Sequence, residues 1–115
     1  MKRTDSNEWL LREKGRNRAK IGLTKEAAQE LEEIVFVKLP KLGQVFKAED
    51  EAVILESVKA AADTYAPIGG RIVSINEKLL IKPNLVITDP HGEGWLYEIE
   101  FESDAEYQAL QDYKC

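Results

Sequence analysis

Val53-Ile54-Leu55-Glu56-Ser57-Val58-Lys59-Ala60-Ala61-Ala62-Asp63-Thr64-Tyr65-Ala66 is the stretch on which the fold turns, because its halves point different ways. Val53-Ile54-Leu55 reads as a strand. The run from Glu56 to Asp63 holds alanines and charged residues that favour a helix. Thr64-Tyr65-Ala66 then returns to β character. No Gly, Asn or Pro near Lys59 marks a hairpin turn. Local propensity therefore leaves the centre open, between a short helix and a strand reversal.

The flanking sequence is less ambiguous. Glu8–Arg12 and Arg18–Leu23 read as strands around a turn at Gly15-Arg16-Asn17, with Ala19, Ile21 and Leu23 on one face. Thr24 is a candidate N-cap for a helix from Lys25 to Glu33, which would pack Ala27, Ala28 and Leu31 on the sheet. Ile34-Val35-Phe36-Val37 has the β-branched and aromatic character of a buried strand. Leu42–Lys47 gives a turn and a short strand. Pro67-Ile68-Gly69-Gly70 is a strong turn before a strand over Arg71–Ile75.

Asn76–Leu80 fits a helical turn ahead of Pro83, and Asn84 to Gly94 reads as a long surface loop. Trp95, Tyr97, Ile99 and Phe101 alternate with polar residues as a half-buried strand. Ser103-Asp104-Ala105-Glu106 is a capping box opening a C-terminal helix, with Tyr107 and Leu110 on its inner side. Many short strands with peripheral helices predict a mainly β barrel or sandwich.

At 115 residues the chain is the size of one domain, and its 43% apolar and 32% charged composition is that of a globular protein. A net charge of −5 argues against nucleic-acid binding, which depends on neutralising phosphates. The basic cluster Arg12, Lys14, Arg16, Arg18 and Lys20 reads first as a solvated hairpin face, second as a surface for an acidic partner. Apolar runs are too short to span a membrane and no secretory signal opens the chain. Cys115 is the only cysteine, so no internal disulfide forms. These features predict a soluble, intracellular protein.

A single histidine and a single cysteine leave little for a metal centre or Cys–His catalysis, and there is no phosphate loop or serine triad. His91 falls in a Pro-Gly loop and reads as an exposed turn residue. Lys59 stands out by its setting. Val58 and three alanines flank it, with Glu56 and Asp63 on either side. Such an amine is accessible to a modifying enzyme, and acylation would remove its charge while keeping its stem. On pattern alone, an ordinary surface lysine remains the commoner reading.

Glu56-Ser57-Val58-Lys59-Ala60-Ala61-Ala62-Asp63 followed by Tyr65-Ala66-Pro67-Ile68 and Gly70 resembles the lipoylation segment of glycine cleavage system H proteins. Ile34-Val35-Phe36-Val37-Lys38-Leu39-Pro40 with Gly43, Asp89-Pro90-His91-Gly92-Glu93-Gly94-Trp95-Leu96 and Ser6-Asn7-Glu8-Trp9 resemble three further family stretches, in order and spacing. The resemblance implies one lipoyl-carrier domain over residues 1–115. Its fold would be a barrel-sandwich hybrid of the lipoyl/biotinyl type, with short peripheral helices, a C-terminal helix and Lys59 at a hairpin tip.

It further implies lipoic acid in amide linkage to Lys59, with Glu56, Ser57, Val58 and Ala60 recognised by the attaching enzyme. Ser6, Glu8 and Asp63 would form a cleft for the aminomethyl-bearing arm; solvated surface acids are the alternative for Glu8 and Asp63. The implied partners are the pyridoxal-phosphate glycine decarboxylase, the tetrahydrofolate-dependent aminomethyltransferase, dihydrolipoyl dehydrogenase and lipoyl-attaching enzymes. The chain itself would be a non-catalytic monomer without metal, nucleic acid or membrane. It would work in the cytoplasm, or in the mitochondrial matrix as a eukaryotic mature form.

The sequence departs from the family pattern at Asn7 (usually histidine), Glu26 (usually aromatic), Glu32 (usually glycine) and Gly69 (usually serine). Three other readings stand beside the carrier: an H-like paralogue relaying lipoate, a lipoyl or biotinyl domain of a larger enzyme, and an unmodified interaction module.

Overall fold

A computed structural model of the chain describes residues 1–59 and 61–113, so the expectations for Ala60 and Cys115 lie outside the described residues. The chain opens with β1 (Lys2–Arg3), then a hairpin of β2 (Glu8–Arg12) and β3 (Arg18–Leu23). Helix α1 (Lys25–Glu30) is capped by the Thr24 hydroxyl, which accepts from the Ala27 amide at 3.2 Å. It stops short of the expected Glu33. Leu31 is already extended, and the Glu33 carbonyl accepts from the Val58 amide at 3.0 Å, which ties this segment to the lysine hairpin.

Next come β4 (Ile34–Lys38), β5 (Val45–Phe46), β6 (Glu51–Ser57), β7 (Ala61–Tyr65) and β8 (Gly70–Ile75). Two single-turn helices follow, α2 (Lys78–Ile81) and α3 (Leu85–Thr88), then β9 (Tyr97–Phe101), α4 (Asp104–Gln108) and β10 (Gln111–Asp112). All pairings among the described residues are antiparallel. One sheet has the order β10-β1-β2-β3-β9-β8-β5 and the other β4-β6-β7. The core lies between the sheets and beneath the short helices, with Leu10, Ile21, Ile72, Tyr97 and Ile99 from the larger sheet and Val37, Val53 and Leu55 from the smaller.

The central stretch is a hairpin. Leu55 pairs with Ala62, Ile54 with Asp63, and Glu56 with Ala61. Val53 and Leu55 are buried while Glu56 is exposed, so the period of two that faces the core outweighs the helix propensity of the alanines. Ser57 contributes the turn chemistry that no Gly or Asn provides. Its hydroxyl accepts from the Lys59 amide at 3.3 Å.

Three local expectations are corrected. First, β4 is not a wholly buried strand. Ile34 pairs with Ser57 but Phe36 already pairs with Glu56, so Val35 is the extra residue of a β-bulge. The bulge turns both Val35 and Phe36 outward between the buried Ile34 and Val37. The Ile34 amide is satisfied by Asn84 Oδ1 at 2.7 Å.

Second, residues 84–94 are not all surface loop: α3 buries Val86 completely. Gly94 permits that packing, since a Cβ there would stand 2.1 Å from the Leu85 carbonyl oxygen. Third, the alternation of β9 begins only at Tyr97. Leu96 is buried, and Trp95 is half-buried with the Lys20 ammonium 5.0 Å from its ring centroid.

Candidate functional site

Lys59 follows β6 at the hairpin tip, and its side chain is 70% exposed. The Val58 amide holds the tip to Glu33, the Ser57 hydroxyl holds the Lys59 amide, and Lys59 Nζ lies 2.7 Å from Glu32 Oε1. This ion pair is on the surface, so little free energy opposes release of the amine to an enzyme. Glu56 and Val58 are exposed beside it. Glu32 is an addition that sequence reasoning missed as a site residue. Its only signal was the glutamate at a position where the family usually has glycine.

A second cluster forms around Glu8, on the inner face of β2 opposite Leu23. Thr4 Oγ1 and Ser6 Oγ both donate to Glu8 Oε1 at 2.7 Å. Glu8 is 1% exposed, and its Oε2 is buried with no hydrogen-bond partner among the described residues. Tyr97 Oη is likewise buried and unpartnered. Burial raises the Glu8 carboxyl above its ordinary value. It does so against the lowering effect of Ser6, of Thr4, and of the Tyr65 backbone, which stands near the carboxyl without a full hydrogen bond. Burial, then the nearby Glu8 charge, pushes the Tyr97 phenol up as well.

Of the three residues expected in a cleft, the structure brings Ser6 and Glu8 into contact. Asp63 is exposed on the outer face of β7, on the same side as Tyr65. Ser6 and Tyr65 line a cavity of about 660 Å³ with Arg3, Ala48, Pro67 and Leu110. Thr4, the second hydroxyl on Glu8, and Tyr97, a buried neighbour that makes no hydrogen bond to it, were not foreseen.

Because burial raises the folded-state value of Glu8, folding takes up a proton there between the unfolded and folded values. Stability from this group is present below the unfolded value and is lost as pH rises through the folded one. Glu8→Gln has no such titration. Its urea midpoint should gain on wild type as pH rises above the ordinary glutamate range, where the wild-type carboxyl has to ionise in its buried site. Parallel pH profiles for the two proteins would show that Glu8 does not titrate as a buried acid.

His91 is corrected from an exposed turn residue to a half-buried packing element. It stands edge-on to both Trp9 and Tyr113, with centroids 5.9 and 5.5 Å away, and Nε2 accepts from the Lys25 amide at 3.1 Å. The basic hairpin is partly committed within the chain. Arg12 pairs with Asp104 and lies over Phe101 and Tyr107, and Arg18 pairs with Glu100. Asn7 adopts a φ of 70°, and its Oδ1 accepts from Arg3 Nη2 at 3.0 Å. Asparagine tolerates this left-handed conformation better than most side chains do.

Among the described residues no group of His, Cys, Asp and Glu could hold a metal ion, and no helix is long and apolar enough to cross a membrane. Fold and site together define a small two-sheet β domain that displays one lysine on a hairpin. Residues 1–114 match the family model described as glycine cleavage H-protein, and the chain belongs to that family.

Among its relatives, the probable glycine cleavage system H protein of Aeropyrum pernix is 45% identical over 93% of this chain and 73% of that protein. The glycine cleavage system H protein of Thermotoga maritima is 42% identical over 96% of this chain and 88% of its own length. The crystal structure of a glycine cleavage system H protein from Mycobacterium marinum superposes with a TM-score of 0.80 at 31% identity, covering 88% of this chain and 83% of that one.

Proposed function

We propose that this chain is the lipoyl-bearing carrier of the glycine cleavage system, with Lys59 as the attachment point. It would take the aminomethyl unit of glycine from the decarboxylase, present it to the aminomethyltransferase, and be reoxidised by dihydrolipoyl dehydrogenase. The observation that carries the reading is an exposed amine at a hairpin tip, held by a surface ion pair to Glu32. That geometry fits the group. Lys59 Nζ, once deprotonated, would hold the lipoyl group as an amide, with loss of the group that activates the lipoyl carboxyl and of the second amine proton. The dithiolane, once bound, supplies the thiol–disulfide and group-carrying chemistry.

The remaining work belongs to the chain's own residues. The β6–β7 pairing places the hairpin in the three-stranded sheet, so the arm would extend from Lys59 and meet each enzyme at high effective concentration. The Ser6–Glu8 cluster supports a resting site for a cationic arm. Glu8 Oε2 is a buried acceptor without a donor among the described residues, and an ammonium would satisfy it. Asp63 stands on the hairpin as a second carboxylate that the arm can pass.

Peptide mass spectrometry of the protein purified from lipoate-replete cells tests the reading. The expected result is lipoylation at Lys59 alone. An unmodified Lys59 in cells that lipoylate another carrier would overturn it.

A further inference from the structure

The surface next to Lys59 is not uniformly polar. The bulge in β4 leaves Val35 54% and Phe36 50% exposed, and Val58 at the hairpin tip is 55% exposed. Phe36, Glu56 and Ala61 form one cross-strand row on the outer face of the three-stranded sheet, and Lys38, Ile54 and Asp63 form the next. Because β4 is an edge strand, Val35 and Phe36 sit on the sheet's open margin. Exposed Glu32 and Glu33 precede it, and exposed Glu56 lies across from Phe36. An edge strand with two successive outward apolar side chains is a liability in an unpartnered protein. Here it borders the one amine that an enzyme must reach.

We propose that Val35, Phe36 and Val58, rimmed by Glu32, Glu33 and Glu56, form the docking surface for the enzyme that acylates Lys59. This rests on the carrier reading above. The lysine stem reaches only a few ångströms past the hairpin, so an enzyme acting on Nζ must close over these residues. Enzymes that meet the loaded arm work at its far end and need not cover the tip. The acylating enzyme is therefore the occupant that the geometry selects. Its matching face carries an apolar pocket for Phe36 bordered by Lys and Arg, since the rim it meets is acidic. The rim steers encounter, and the apolar strip provides residence once the two surfaces meet.

The test is the steady-state acylation of the full-length chain by a lipoate-attaching enzyme with lipoate and ATP. Phe36→Ser should raise the KM for the carrier about tenfold with kcat within about twofold, as expected for loss of an interface anchor. Glu33→Lys should raise KM and flatten the salt dependence of kcat/KM. Val45→Ser, which removes an apolar side chain 71% exposed on β5 of the other sheet, should match wild type. Thermal melts that overlay wild type would separate docking from folding, because these side chains are exposed. If Phe36→Ser and Val45→Ser have the same KM as wild type, the docking surface is wrong and the carrier reading stands. If wild type is not acylated at all, both fall.

Discussion

Lys59→Arg should abolish lipoylation and reduce decarboxylase-dependent glycine–bicarbonate exchange to background, with the fold intact. The guanidinium keeps the charge and can still pair with Glu32, now 2.7 Å from Nζ. It stays protonated at any working pH and offers no nucleophilic amine. The side chain is 70% exposed. Stability should therefore change by no more than about 0.5 kcal/mol, and melting curves should overlay. Loss of exchange is then a chemical effect and not a structural one. Residual exchange above background in Lys59→Arg would show that another residue carries the group. A wild-type chain that is lipoylated yet inactive in exchange would favour a lipoate relay instead.

How much of this was legible in the sequence depended on the kind of signal. Thr24 and Ser103 act locally, and both cap their helices as expected. The inward Ala19, Ile21 and Leu23 of β3 and the inward positions of β9 follow from alternation that each strand carries in itself, whereas β2 buries Glu8, Trp9 and Leu10 in succession. The Lys59 hairpin was different. Its alanines favour a helix, and only the buried Val53 and Leu55, together with resemblance to a family, decide for strands. Family membership is now shown by the match over residues 1–114.

What the sequence hid were pairings between distant segments. The Val35 bulge depends on the register of β4 against β6, which no β4 residue announces. The burial of Val86 depends on Gly94 admitting the Leu85 carbonyl. The two-residue strands β1 and β10 are too short to carry a pattern; β1 forms by pairing with both β2 and β10, and β10 by pairing with β1. At the candidate site, Lys59, Ser57 and Glu56 were legible from one continuous stretch. The Glu8 cluster was only half legible, because Ser6 is a near neighbour whereas Tyr97 arrives from another strand of the sheet.

Trp9→Ala should be the most damaging single truncation, at about 3–5 kcal/mol, against a total stability of roughly 5–15 kcal/mol for a domain. Trp9 is 1% exposed, and its Nε1–H donates to the Pro90 carbonyl at 3.0 Å. Its ring lies over Gly22, where a Cβ would stand 2.6 Å from the ring atoms, and it meets His91 edge-on. Truncation leaves a ring-sized void, a Pro90 carbonyl that has lost its indole donor, and a His91 with less to hold it against the Lys25 amide.

Trp95→Ala is the control that separates burial from aromatic identity. Trp95 is half-buried, with a Lys20 ammonium over its ring, so its loss should cost well under half as much. Urea unfolding followed by far-UV circular dichroism reads both variants without relying on tryptophan fluorescence. Equal midpoints for the two would mean that Trp9 is not the clamp between β2, β3 and the loop at Pro90. A low midpoint for Trp9→Ala alone ties the stability of this carrier to the strand that also bears Glu8. Damage to Trp9 should then loosen the Ser6–Glu8 cluster before it reaches the Lys59 hairpin on the opposite sheet.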